Sequence, residues 1–184
     1  MRVLGALAFL LAGTAAALAA PWTVDPAQSE IAFSGTHAGR TFKGVFQTWS
    51  ATIDFDPDAP ETGKVEVVVD LSTARTGDGT YDRTLPQKDW LDTTASSKAT
   101  FASNAIRKGD TAGQYVADGT LTIRGKSRPV TLPFTLATEG DKARMSGRTV
   151  LKRLEYGIGQ SSDGNGGFVS LEIPVDVKVT ATKR

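Results

Sequence analysis

His37 is the only histidine in the chain, so any histidine-based acid–base chemistry would have to be built around it. It closes the stretch IAFSGTHA (31–38), where two-residue periodicity puts Ile31, Phe33, Gly35 and His37 on one face of a strand. No G-x-S-x-G nucleophile elbow accompanies it. One histidine and no cysteine leave too few nitrogen and sulfur ligands for an ordinary protein metal site. The absence of cysteine also removes disulfides, a thiolate nucleophile and a lipid-modified cysteine. Two roles stand ahead of catalysis for His37: a structural ring satisfied by its neighbours, or a partner for the polar head of a ligand at one end of a sheet.

The acidic residues point the same way. Nearly all fall in turns or on the polar faces of strands, where a solvated carboxylate is expected rather than a catalytic pair. Asp25 and Ser29 flank Pro26 and read as a turn leading into the first long strand. Asp82 and Arg83, beside Tyr81, are either contacts for a polar ligand head or a surface ion pair. Tyr156 is a cavity wall, a lid or ordinary packing.

The elements that would position these groups are strands. IAFSGTHA is followed by FKGVFQTWSATIDF (42–55), which starts with Phe42, Gly44 and Phe46 on one face and then changes phase to Trp49, Ala51, Ile53 and Phe55. Such a slip marks a bulge or bend. Six further runs follow: VEVVVDL (65–71), KATFASNAI (98–106), QYVADGTLTI (114–123), VTLPFTLA (130–137), ARMSGRTVL (143–151) and VSLEIPVDVKVT (169–180). Leu121 and Ile123 share a face with Val130, Leu132, Phe134 and Leu136 across the Arg124–Gly125–Lys126 turn. Eight short strands separated by turn residues predict an all-β sandwich or antiparallel barrel. Pro133 and Pro174 should occupy edges, bulges or ends.

Two connections break the even spacing. Residues 72–97 contain LPQKDWLDTT, read as a short helix or cap around residues 80–95, with Trp90 and Leu91 turned toward the sheet. LEYGIGQSSDGNGG (154–167) is glycine-rich and reads as a mobile loop.

Eight strands are enough for either a filled barrel or one small ligand cavity. Phe33, Phe42, Phe46, Trp49, Phe101, Tyr115 and Phe134 supply aromatic walls. Small residues, among them Gly35, Gly44, Gly119 and Gly147, recur on the same faces. They either leave open volume or each face a large neighbour.

The chain has 184 residues, enough for one domain with a real core. Its start, MRVLGALAFLLAGTAAALAA, has a basic residue, an apolar run and the pattern Ala17-Leu18-Ala19, which read as a signal peptide over residues 1–19. A retained anchor fits less well, because the run is short for a bilayer span. The expected domains are therefore the cleaved peptide and a single domain over 20–184. The net charge is +1, and without Arg2 the chain is balanced, so net charge steers it toward neither nucleic acid nor acidic lipid headgroups.

The ordered set WTVDPAQSEIAFSGTHAG, GVFQTWSATIDFDP, DGTLTIRGKSRPVTL and KRLEYGIG, spread over residues 22–181, resembles the YceI-like family. The resemblance implies an extended, eight-stranded, lipocalin-like antiparallel β-barrel that holds a long isoprenoid or similar lipid. Three departures stand out: Gln28 replaces a frequent histidine, Trp90 and Leu91 before Asp92 replace paired phenylalanines, and Ser96 and Ser97 replace a Tyr-Pro pair. They fall largely in or beside the first long connection, where the mouth would be shaped.

The expected function is that of an exported periplasmic protein which sequesters or carries a polyisoprenoid or similar molecule, such as an isoprenoid quinone. No enzyme activity, cofactor or membrane anchor after cleavage is implied, and a homodimer is compatible with the sequence. The expected contacts are Phe33, His37, Phe42, Phe46, Trp49, Trp90, Phe101, Tyr115, Gly119, Leu121, Phe134 and Tyr156. An interaction module for a membrane redox protein is the second reading. A hydrolase or isomerase using His37 as base is a distant third.

Overall fold

Alternating apolar residues build eleven strands: β1 (Pro21–Val24), β2 (Glu30–His37), β3 (Arg40–Phe46), β4 (Trp49–Asp54), β5 (Lys64–Asp70), β6 (Ala74–Arg75), β7 (Lys98–Lys108), β8 (Gln114–Ile123), β9 (Lys126–Glu139), β10 (Lys142–Lys152) and β11 (Glu172–Lys183). They are seen in a computed structural model that describes residues 21–184, so the signal peptide expected over 1–19 lies outside the described residues. Among the described residues one α-helix, α1 (Gly79–Thr84), lies between β6 and β7.

The strands form eight staves. β1 and β2 are one stave interrupted by a 3₁₀ turn at Pro26–Gln28; β3 with β4, and β5 with β6, are two more. Neighbouring staves pair antiparallel, and β1 closes the ring by pairing with both β4 and β11. The result is a closed eight-stranded antiparallel barrel, in which no stave is left as an edge.

Local chemistry explains the interruptions. Asp25 accepts from the Ala27 amide at 2.9 Å and caps the first turn, while Ser29 hydrogen-bonds both backbone groups of Thr180 on β11. The phase slip expected between Phe46 and Trp49 is the break between β3 and β4. There the amides of Gln47 and Thr48 donate to the Thr73 carbonyl and hydroxyl, 3.2 and 3.0 Å away.

Pro133 sits just beyond Phe134–Gly147, the last matched pair of the β9–β10 ladder. Pro174 directly precedes the β11–β2 ladder, which begins at Val175–Phe33. Both prolines therefore stand where a neighbouring ladder needs no amide donor.

Candidate functional site

One end of the barrel, where both described termini lie, is plugged. Trp22, Phe55 and Tyr115 are buried there, and the Trp22 indole N–H donates to the Phe55 carbonyl at 2.8 Å. Tyr115 stacks on Phe134 with ring centroids 5.4 Å apart, and Phe55 meets Tyr115 edge-on at 5.3 Å. These contacts pack the rings against one another across the interior. Burial pushes the Tyr115 hydroxyl above its usual pKa, and Asp58 and Asp56 push it further.

Above the plug the side chains separate around a cavity of about 230 Å³. Phe33, Phe42, Phe46, Trp49, Phe101 and Leu121 line it, together with aliphatic residues such as Val65, Val67, Val69, Val175 and Val177. Thr149 and Arg153, with the polar tips of Trp49, Trp90 and Tyr156, are the polar groups among its lining residues. An apolar chain fits such a wall, because nothing in it demands a polar partner.

The glycines do not create this space. Phe33 lies opposite Gly44 and Phe42 opposite Gly35 in the β2–β3 ladder, and each ring occupies the volume a glycine side chain would have taken. A Cβ on Gly119 would come within 2.5 Å of the Phe101 ring, and one on Gly147 within 3.0 Å of Phe134. Gly35, Gly44 and Gly119 therefore each lie against an aromatic ring, and Gly147 is packed by Phe134, Pro133 and Leu132. The space comes from the short aliphatic side chains between them.

The opposite end is covered by two interlocked segments. The first is α1 with the turns that follow it, bringing Leu85, Trp90 and Leu91 over the cavity. The second is the loop after β10. It is not loose: Arg153 and Asp163, exposed by only 1% and 5%, form a buried ion pair at 2.8 Å inside it. The guanidinium also donates to the carbonyls of Ile158, Asp163, Val169 and Ser170, and the carboxylate accepts from the Phe168 and Val169 amides. Those amide bonds outweigh burial and hold the Asp163 carboxyl below its usual range.

Two residues clip loop and cap together. Asp89 accepts from the amides of Ser161 and Ser162 and from the Ser162 hydroxyl. Burial works against its charge, but these bonds prevail and lower its pKa to about 2. Arg124, at the β8–β9 turn, donates to the carbonyls of Gly157 and Lys88 and so bridges loop and cap.

Beside the cover lies a second pocket of about 300 Å³, lined by His37, Thr76, Thr80, Tyr81 and Thr84. Phe42, Leu85, Trp90 and Val169 line both spaces, so this pocket is the mouth of the apolar one. His37 Nδ1 and the Tyr81 hydroxyl share a hydrogen bond of 2.8 Å. Asp82 accepts from both the amide and the hydroxyl of Thr76, bonds that hold its carboxyl below the usual range, and thereby fixes the first turn of α1.

The structure thus brings eight of the twelve expected residues to the main cavity: Phe33, Phe42, Phe46, Trp49, Trp90, Phe101, Leu121 and Tyr156. His37 stands at the mouth. Tyr115 and Phe134 belong to the plug, and Gly119 lies beneath Phe101. Sequence reasoning missed Leu85, Ile158 and the clips made by Asp89, Arg124, Arg153 and Asp163. In sequence these charged residues look like any others in a polar loop.

A closed antiparallel barrel plugged at one end, with an apolar interior and the His37–Tyr81 pair at its mouth, is the architecture of small β-barrels that enclose a binding space. The protein belongs to the YceI-like domain family, whose profile matches residues 22–181. A UPF0312 protein of Vibrio vulnificus is 31% identical over 180 residues, covering 92% of this chain and 93% of the relative. Another from Shewanella oneidensis is 29% identical over 178 residues, covering 88% and 92%. Among solved structures, Burkholderia cenocepacia BcnA superposes with a TM-score of 0.83 at 29% identity, covering 87% of this chain and all of that one (100%). A polyisoprenoid binding domain from Saccharophagus degradans, implicated in plant cell wall breakdown, shares the fold with a TM-score of 0.69 at 14% identity, covering 90% and 99%.

Proposed function

We propose that the protein is an exported carrier that sequesters a polyisoprenoid or similar long apolar molecule, an isoprenoid quinone among the candidates, inside the barrel. One observation carries this reading: an almost wholly apolar cavity, sealed by the Trp22–Phe55–Tyr115–Phe134 plug, adjoins at the other end a mainly apolar pocket in which the His37–Tyr81 pair is a polar feature. The apolar tail would lie against the valines and phenylalanines, and an oxygen-bearing head would meet the His37–Tyr81 pair.

Burial of apolar surface contributes roughly 25 cal/mol per Å² removed from water, so a tail of several isoprenoid units gains many kcal/mol on entry. Immobilising the tail offsets part of that gain. The ligand of the Saccharophagus domain supports the choice of cargo, and the leader-like sequence before Ala20 supports export to the periplasm. No reaction is assigned: His37 is engaged with Tyr81, and sequestration needs no bond to be made or broken.

Filling the cavity tests the reading. Val67 points into it, and Val67→Trp should lower uptake of a radiolabelled polyprenol at least five-fold while the barrel stays folded. Undiminished uptake by a folded variant would contradict an interior site.

A further inference from the structure

Three large apolar side chains are exposed among the described residues: Val150 (48%), Phe168 (65%) and Leu171 (43%). All three stand at the mouth end. Val150 is matched with Pro174 near the upper end of the β10–β11 ladder, and the Leu171 carbonyl accepts from the Arg153 amide just above it. Phe168 adjoins Val169, which lines both the cavity and its mouth.

The outward position of Phe168 is built in. Its carbonyl accepts from the Ala38 amide at 2.8 Å, and its amide donates to the buried Asp163 carboxylate at 3.1 Å. The backbone is therefore fixed on both sides while the ring projects into solvent, at continuing cost in hydration free energy.

Charge around this rim is uneven. Arg40, two residues from Ala38 in the β2–β3 hairpin, and Lys126 at the β8–β9 turn form no ion pair among the described residues. Of the acidic groups of the loop and cap, Asp163 is paired with Arg153 and Asp92 with Arg124, while Asp89, its carboxylate bonded only to the serines of the loop, and the exposed Glu155 keep their charge. Glu172 stands opposite Lys152 on the neighbouring strand. A few projecting side chains fall far short of the roughly 800 Å² per partner of a stable protein interface. They match the contact made by a protein that rests its edge in a lipid interface, where apolar insertion and basic groups act together.

We infer that this rim is a docking surface for an anionic bilayer. Phe168 and Leu171 enter the interface, Arg40 and Lys126 meet lipid phosphates, and the mouth is held against the membrane from which cargo is taken. The inference rests on the carrier reading, because it gives the docked mouth its purpose.

The test is co-sedimentation of the full protein with vesicles of phosphatidylcholine and phosphatidylglycerol at low salt. Phe168→Ser with Leu171→Ser should reduce the bound fraction at least five-fold without changing the melting temperature, and added salt should weaken binding of the parent. In a second variant, Phe168→Trp, bromine-labelled acyl chains should quench emission well beyond that of the parent. Equal sedimentation of the double variant, or no extra quenching in Phe168→Trp, overturns the inference. A parent dimer that is lost in the double variant, with no vesicle binding by either, overturns it in favour of a contact between copies. Uptake of polyprenol added from ethanol separates the two readings. A protein that loads but does not dock contradicts the docking surface, and one that docks but never loads contradicts the carrier.

Discussion

His37 at the end of β2 and Tyr81 on α1 share a hydrogen bond of 2.8 Å across the mouth of the barrel, with their rings edge to face at 5.4 Å. The pair ties the cap to the wall and is a polar group within reach of both the cavity and solvent. Tyr81→Phe keeps the ring against Phe42 and removes only the hydroxyl. It should cost about 1 kcal/mol in urea unfolding. It should also weaken binding of a hydroxyl- or carbonyl-headed isoprenoid relative to the headless hydrocarbon, as read by competition between the two.

The plug should set the length of the cavity. Phe55 is 5% exposed and central to it. Phe55→Ala should cost roughly 3–5 kcal/mol in chemical denaturation. If the variant folds, mass spectrometry of the extracted cargo should shift toward longer chains.

Glycines beneath aromatic rings should resist even a methyl group. Gly44→Ala drives a Cβ into the Phe33 ring, and overpacking of this kind typically costs about 1–3 kcal/mol. Thermal unfolding should show the loss, and Phe33→Leu in the same chain should recover part of it by clearing the space.

The join between cap and loop should be sensitive to acid. Asp89 titrates at about 2 in the folded protein, against an ordinary value of 3.8. A depressed carboxylate pKa gives stability that is fully present above the unfolded value and is lost as pH falls through the folded one. The cap should therefore loosen between about pH 4 and pH 2, seen as a change in Trp90 emission that Asp89→Asn shows already at neutral pH. Identical acid transitions in the parent and Asp89→Asn would contradict this role.

The staves were legible because burial on one face writes a two-residue period into the chain, and the slip between Phe46 and Trp49 gave the position of a bend. Height along the barrel was not legible. Alternation says which face Tyr115 and Phe134 occupy, but their place in the plug depends on register with Phe55, many residues away. The same holds for the glycines: Gly44 faces Phe33 only because the β2–β3 ladder matches them. The ordered loop was hidden for another reason. Five glycines suggested mobility, while its order comes from Arg153 and Asp163, whose burial no local pattern announces.

The central claim is that the apolar interior holds a lipid, and the most direct measurement is mass spectrometry of protein purified from its own cell envelope, under native conditions and after solvent extraction. The account predicts a stoichiometric isoprenoid species that is lost on extraction and diminished in Val67→Trp. A protein that carries no lipid and takes up no added polyprenol would contradict it.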